Sequence, residues 1–417
     1  MKTTVYFIFV FTIISSCKCI ILKANPTNNR SPIINIDSLH SKILNEQRNI
    51  WVYVPSSYDA SSRQSYPVAY LLDGDAQFHT VLNIIQQLSE ENMNMVLPQM
   101  ILVGILNTDR MRDLTPSHVS YDPDIPDSSY VKTSGGSENF VSFIEKELMT
   151  YIESKYPAAP YRILIGHSDG GLFCINTMLI HTSLFNGYIA IDPNMKWDNN
   201  KILNLAKETL NYKTFEGTSF YMSIANQGYS DSDTYKDNAA SFELTKLLDS
   251  NKSIKLKYKW QYYKEDNHSS VPLISEYDGL RFLFDFYNPK IPYMKFRDPK
   301  FNADSFLIAH YEKVSSLMGY TISPPELVVN WLGYLFVMEQ QYDKAYKMMK
   351  LNTKNYPTSW NAFDSLGEVL MIQGNIDAAI ENYEKSLIIN PQNENARKMI
   401  EQLKQKNKKI LETNTKG

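Results

Sequence analysis

The stretch from Arg162 to Leu172, Arg-Ile-Leu-Ile-Gly-His-Ser-Asp-Gly-Gly-Leu, narrows the possible folds more than any other part of the chain. Ile163, Leu164 and Ile165 read as a short buried strand and Leu172 to Leu179 as an apolar helix, so the polar residues between them must turn the chain sharply. Ser168 sits at that turn, with Gly166 and Gly170 two residues to either side in the pattern G-x-S-x-G. A strained strand-to-helix elbow needs such glycines, because side chains there would collide with the backbone. The elbow lifts the serine hydroxyl clear of the sheet and points a helix N-terminus at whatever the hydroxyl attacks.

The rest of the first 290 residues fits around this unit. Ile33 to Leu39 and Arg48 to Val54 alternate as an antiparallel start to a sheet. From Val68 the strands become continuous apolar runs: Val68 to Leu72 ending in Asp73-Gly74-Asp75, Met100 to Ile105, the elbow strand, Tyr188 to Asp192, Phe220 to Ala225 and Lys257 to Tyr263. Helical segments fall between them at Val81 to Leu88, Glu138 to Ser154, Leu172 to His181 and Ala239 to Leu248, with Leu273 to Phe286 closing the series. Alternation of this kind predicts an α/β fold with a mainly parallel central sheet covered on both faces. Its site lies beyond the carboxyl ends of the strands, so the polar residues ending them gather around Ser168.

A chain of 417 residues exceeds one ordinary core. Its net charge of -3 gives no electrostatic case for nucleic-acid binding. Lys2 followed by the apolar run Val5 to Ile14 has the layout of an export signal over residues 1–19, too short to span a membrane with normal flanks. Ile14-Ser15-Ser16-Cys17 resembles a bacterial lipobox, which would make Cys17 a lipidated first residue and the lipid the only membrane contact; the alternative is plain cleavage near Cys19. Either processing places the protein outside the cytoplasm, as a periplasmic, secreted or lipid-anchored protein. Of the three cysteines only Cys174 lies in the body, so neither a disulfide framework nor a cysteine metal site is available. No dinucleotide fingerprint is present, and no cofactor or metal is implied.

Residues 20–292 form the first expected domain and 293–417 a helical module. In the latter, Leu332-Gly333 and Leu366-Gly367, Ala345 and Ala379, and Pro357 and Pro391 recur with a 34-residue offset, the tetratricopeptide period. This gives two repeats over about 326–359 and 360–393 and a closing helix from Asn393. Two repeats bury too little surface to stand alone, so the module is expected to rest on the body or on a protein partner.

Tyr66-Pro67-Val68 through Asp73-Gly74-Asp75, Arg110-Met111-Arg112-Asp113-Leu114-Thr115-Pro116, the elbow Gly166 to Gly171 and His268-Ser269-Ser270-Val271-Pro272-Leu273 together resemble the esterase family of α/β-hydrolases. That family includes enterochelin and other siderophore esterases, esterase D type enzymes and relatives acting on feruloyl or acetyl esters. The resemblance covers about Ile33 to Tyr287 and implies a serine hydrolase for a small-molecule or polymer-linked carboxylic ester. Acyl transfer, as in related mycolyl transferases, and a tethered binding protein with a vestigial hydrolase body remain the alternatives.

A serine hydroxyl needs a base in hydrogen-bond reach and a carboxylate behind that base. In this fold the order is serine, acid, histidine. Of seven histidines only His268 follows the last strands and precedes the final body helix. The resemblance implies an acid just after Phe220 to Ala225, where Asp233 is favoured over Asp231; Glu265, three residues before the base, competes. Oxyanion donors are expected from the amide of Asp169 and from the Gly74-Asp75 turn through Asp75. Relatives commonly carry an apolar or amide residue at the position of Asp169. A carboxylate beside a developing oxyanion opposes catalysis unless it turns away or is neutralised, which predicts a pair with Arg110 or Arg112. Arg110 otherwise grips an anionic substrate or ties to Asp109 or Asp113. His79 and His118, with the aromatic loops Tyr121 to Tyr130 and Asn194 to Trp197, are the expected substrate contacts.

Overall fold

The computed structural model describes residues 34–58, 64–89, 94–123, 125, 127–226 and 236–414; the expected leader with Cys17 lies outside them. The body opens with β1 (Ile34–Ser41), β2 (Glu46–Tyr53), β3 (Tyr66–Leu71), α1 (Gly74–Leu88), β4 (Ile101–Ile105) and α2 (Arg110–Leu114). Next come α3 (Ser137–Phe143) and α4 (Met149–Lys155), joined by one π turn, then β5 (Ala158–His167), α5 (Asp169–Ile180), β6 (Gly187–Ile191) and α6 (Trp197–Thr209). It ends with β7 (Ser219–Ala225), α7 (Ala239–Ser250), β8 (Lys257–Tyr263) and α8 (Val271–Leu283). The eight strands form one sheet in the order β1-β2-β4-β3-β5-β6-β7-β8; β1 and β2 join antiparallel and all later pairs are parallel. The mainly parallel α/β sheet predicted by strand alternation is the observed one, as the α/β-hydrolase resemblance also implies.

Side-chain alternation along the strands divides the body into two cores. Ala69, Leu71, Ile163 and Ile165 face α1 and α8, packing with Phe78, Val81 and Leu280. Val68, Tyr70 and Leu164 face the other way, onto Phe140, Leu172 and Leu203. Strands β3, β4, β6 and β7 are buried along their whole length, which explains why they read as unbroken apolar runs. At the carboxyl end of β3 the start of α1 lies directly on β4: a Cβ on Gly74 would sit 2.7 Å from the Gly104 carbonyl carbon. Only glycine allows that approach, and it brings the head of α1 to the end of the sheet where Ser168 stands.

Beyond the body come α9 (Ala303–Met318), α10 (Glu326–Met338), α11 (Tyr342–Asn355), α12 (Trp360–Ile372), α13 (Ile376–Ile389) and α14 (Glu394–Asn414). The pairs α10/α11 and α12/α13 start 34 residues apart, at Glu326 and Trp360 and at Tyr342 and Ile376. A Cβ on Gly333 would lie 2.5 Å from Met349 Cε, and one on Gly367 3.1 Å from the Tyr383 ring, so each glycine seats the bulky side chain of the second helix in its pair. The core around α1 and α8 continues into this module through Tyr287, Leu307, Tyr311 and Val314. The rings of Tyr287 and Tyr311 meet edge to face at 5.8 Å, and His310 Nε2 donates to the Tyr287 carbonyl at 2.9 Å. Among the described residues no helix is long and apolar enough to cross a membrane, and the one cysteine, Cys174, is buried and unpaired.

Glu276 on α8 is 1% exposed, and neither carboxyl oxygen has a hydrogen-bond partner. Burial raises its pKa from 4.5 to about 8. A carboxyl with a raised folded-state pKa contributes stability that is fully present below pH 4.5 and is lost as pH rises through about 8. Glu276→Gln should therefore raise the melting temperature at pH 8 and change it little at pH 4.5; equal shifts at both would contradict the buried-acid account.

Candidate active site

Ser168 occupies the sharp turn between β5 and α5 with φ 59° and ψ −117°, a conformation few residues adopt without support. The support comes from Gly166: a Cβ there would fall 2.3 Å from the Gly170 carbonyl oxygen. The constraint is one-sided, since a Cβ on Gly170 would meet only Asp73 and Leu72 side-chain atoms at 3.4 Å or more. The Ser168 amide donates to the Ile191 carbonyl at 2.9 Å, and the Asn194 amide donates to the Ser168 carbonyl at 3.2 Å. These two bonds tie the nucleophile's backbone to the chain on either side of Asp192.

Asp192 directly follows β6 with φ 40° and is 3% exposed. Its amide donates to the Ser223 carbonyl at 3.0 Å. Its Oδ1 accepts from the Ala225 amide at 2.8 Å, and its Oδ2 lies 2.5 Å from His268 Nδ1. His268 sits in the loop between β8 and α8. Asn267 Oδ1 accepts from the Ser269 and Ser270 amides, and the Asn226 amide donates to the Asp266 carbonyl at 2.8 Å, fastening the loop to the end of β7. The His268 ring lies tilted against that of His167, the residue before Ser168, with ring centres 4.4 Å apart. With Nδ1 engaged by the carboxylate, the free nitrogen of His268 is Nε2.

The carboxylate found on His268 is one that the sequence-based expectation did not include. Asp192, not Glu265, holds His268; Glu265 is 83% exposed beside Lys264. Asp233 and Asp231 lie outside the described residues. Asp192 follows the buried strand on one side of β5 much as Asp73 follows the buried strand on the other, so its place in the chain alone does not single it out.

Arg110 heads α2 and spends its guanidinium on two carboxylates. Nε donates to Asp73 Oδ1 at 2.7 Å, Nη2 to Asp73 Oδ2 at 3.1 Å and to the His167 carbonyl at 3.3 Å, and Nη1 to Asp169 Oδ2. Asn194 Nδ2 donates to the other Asp169 oxygen at 2.9 Å. The Asp169 side chain is thus turned into a cation and an amide; its pair is with Arg110 rather than Arg112, and Arg110 ties to Asp73 and Asp169 rather than to Asp109 or Asp113. Asp73 precedes α1 in a left-handed conformation and Asp169 begins α5, so one guanidinium clamps the heads of both helices. The first amides of those helices, those of Asp75 and Asp169, are donors that a helix leaves without an internal acceptor. Arg112 instead binds Glu46 through both terminal nitrogens, at 3.0 and 2.7 Å, and with Arg48 and Asp113 fixes α2 to β2. Arg112 foremost, opposed by burial and helped by Arg48, holds the Glu46 carboxyl down at about 2.

The expected substrate contacts fare differently. Trp197 is 1% exposed and donates from Nε1 to the Ser117 carbonyl at 3.2 Å; it is a core residue that pins the loop after α2, not a lining residue. Behind it Asp198, Asn199 and Asn200 turn in left-handed conformations, and Asp198 accepts from Ser117 Oγ at 2.6 Å. His118 is exposed, with Nδ1 3.3 Å from Ser134 Oγ. His79 lies on α1, its ring against Trp51 and Phe78. Tyr121 and Tyr130 are each 67% exposed. His167 is held neutral: burial first, and the neighbouring His268 second, lower its pKa from 6.5 to about 4. Among the described residues no cluster of His, Cys, Asp and Glu could hold a metal ion.

A serine on a strained elbow, a histidine beside it and a buried carboxylate behind, on a parallel sheet, define an α/β-hydrolase. The chain belongs to the family described as "Putative esterase", whose model matches residues 41–269. It is similar to the ferri-bacillibactin esterase BesA of Bacillus subtilis, 32% identical over 169 residues, which cover 38% of this chain and 58% of that protein. It is also similar to the siderophore enterobactin esterase of Emericella nidulans, 32% identical over 162 residues, 36% of this chain and 53% of that protein. The chain thus spans little more than half the length of these curated relatives. Among solved structures, an IroE-like serine hydrolase from Shewanella oneidensis is 31% identical with a TM-score of 0.64, covering 77% of this chain and 99% of its own.

Two outcomes follow from this geometry. Gly166→Ala should destabilise the fold by roughly 2–3 kcal/mol in urea unfolding through overpacking at the elbow, whereas Gly170→Ala should be within about 1 kcal/mol of wild type; similar losses at both would refute the one-sided contact. In a double-mutant cycle, Arg110→Ala and Asp169→Asn should couple by about 1–3 kcal/mol, and a coupling under about 0.3 kcal/mol would mean the clamp carries no energy.

Proposed function

We propose that this esterase-family chain hydrolyses a carboxylic ester through a Ser168 acyl-enzyme. The observation that carries the proposal is the Asp192–His268 bond at 2.5 Å beside the Ser168 elbow. Asp192 holds His268 in the tautomer with the proton on Nδ1, which leaves Nε2 to take the Ser168 proton as Oγ attacks the ester carbonyl. The amides of Asp169 and Asp75 receive the oxyanion, each worth about 3 kcal/mol in the transition state. His268 then protonates the leaving alcohol. Water, deprotonated by the same nitrogen, releases the acid and regenerates Ser168.

The substrate we infer is a siderophore-type ester, on the strength of the two relatives named for siderophores. Arg110 acts in this reading as a positioning residue, its donors being engaged by Asp73, Asp169 and the His167 carbonyl. Release outside the cytoplasm is inferred from the leader pattern alone, and a tetratricopeptide-type role for the helical module from its 34-residue offset and paired helices.

Fluorophosphonate labelling of the leaderless protein should mark wild type and fail in Ser168→Ala and His268→Ala. Asp192→Asn should lower kcat on an aryl ester roughly 10³–10⁴-fold by stabilising the wrong tautomer. Folded wild type that takes no label would sink the enzyme reading. Label together with inertness toward catecholate trilactones, while other aryl esters are cleaved, would overturn only the substrate.

A further inference from the structure

A cavity of about 510 Å³ lies where the helical module meets the body. It is walled by Tyr66 and Gln99 from the body, Tyr287 from the segment after α8, Tyr320 from the loop after α9, and Asn355 with Tyr356 from the end of α11. Tyr66 begins β3, which runs parallel to β5, and Ser168 follows the far end of β5. The cavity is therefore at the amino ends of the strands, the opposite end of the sheet from the nucleophile. Its volume falls within the range of small-ligand sites.

The chemistry of the wall restricts the ligand. Among the described residues no lysine, arginine, histidine, aspartate or glutamate lines it, so a charged ligand would lose its hydration without a counter-charge from them. Four tyrosines and three prolines offer flat, weakly polar faces, and every other polar group is an amide or hydroxyl. The rings are fastened: Tyr66 Oη is bonded to Ser57 Oγ at 2.9 Å, Tyr356 donates to the Pro324 carbonyl at 3.1 Å, and Tyr287 packs on Tyr311. Asn355 Nδ2 is withdrawn from solvent with no acceptor. Leaving such a donor unmade costs about 1–3 kcal/mol, which an incoming acceptor would recover. A purely apolar ligand would leave the Asn355 amide unpaired, and an ion would find no counter-charge among the described residues.

We propose that this cavity is a non-covalent binding site for a neutral carbohydrate ring, whose C–H face lies on the tyrosines and whose hydroxyls pair with Asn355 and Gln99. The site is independent of the Ser168 chemistry. It gives the helical module a role in ligand capture, because Tyr320, Asn355 and Tyr356 all come from that module.

The test is saturation-transfer NMR on the leaderless chain carrying Ser168→Ala, with neutral mono- and oligosaccharides (glucose, galactose, N-acetylglucosamine, xylo- and gluco-oligomers). Glucuronate and a proline-rich peptide serve as charged and peptide controls. Saturable binding by at least one neutral sugar is expected, weakened about tenfold or more in Asn355→Leu and in Tyr356→Ala. Binding by oligomers alone would support the site and assign it to a chain-linked sugar; binding by monosaccharides would support it for free sugar as well. Thermal melts check that both variants fold, and Asn355→Leu serves alone if Tyr356→Ala does not. Three results would overturn the proposal: no neutral sugar binding at about 10 mM, unchanged binding in the folded variants, or binding of only glucuronate or only the peptide.

Discussion

The contact on which this site depends is the passage of the Gly166 backbone against the Gly170 carbonyl, where a Cβ would come within 2.3 Å. It allows β5 to turn into α5 within one residue and holds Ser168 at φ 59°. Because the turn is that tight, the Ser168 amide and carbonyl point sideways and are taken by Ile191 and Asn194. Asp192 lies between those two residues, so the backbone bonds that hold the elbow also set the carboxylate against His268. Strain at Ser168 and placement of Asp192 are one arrangement.

Electrostatics around the elbow follow the same economy. Two carboxylates, Asp73 and Asp169, stand beside the Ser168 elbow, and a single guanidinium engages both. Clamping them to Arg110 turns their charge away and joins the heads of α1 and α5, whose first amides are the proposed donors. The clamp rests in turn on a second ionic cluster, Arg48, Glu46, Arg112 and Asp113, which roots α2 in the antiparallel edge of the sheet. The antiparallel strand β2 thereby supports the clamp through Glu46 and Arg48. His167, kept neutral by burial, sets its ring at a tilt against that of His268.

The helical module is continuous with the body. Its first helix buries Leu307, Tyr311 and Val314 in the same core as Leu283 and Tyr287, as expected of helix pairs too few to be stable by themselves. The junction is shaped by loops, and loops rich in tyrosine, proline and amides leave a neutral cavity there instead of a packed seam.

The strand alternation, the elbow, the late histidine and the 34-residue offset were legible in the sequence because each is a local pattern: a period of two, a turn that needs glycine, chain order, a repeat. The pairing of Asp169 with an arginine was also legible, as a charge that had to be answered somewhere. Contacts between distant segments were not. Nothing local distinguishes Asp192 from other strand-ending carboxylates; only the register of β6 against β5 and β7 puts its oxygens on Ala225 and His268. Trp197 looked like a surface selector because its neighbours are polar, yet a left-handed turn at Asp198 to Asn200 folds it under the loop at Ser117. Sequence by itself determined which segments are strands and where the chain must turn at Ser168, since those depend on neighbours along the chain. Tertiary structure decided which carboxylate meets His268 and which arginine engages Asp169, since those depend on residues more than fifty positions apart meeting at the ends of parallel strands.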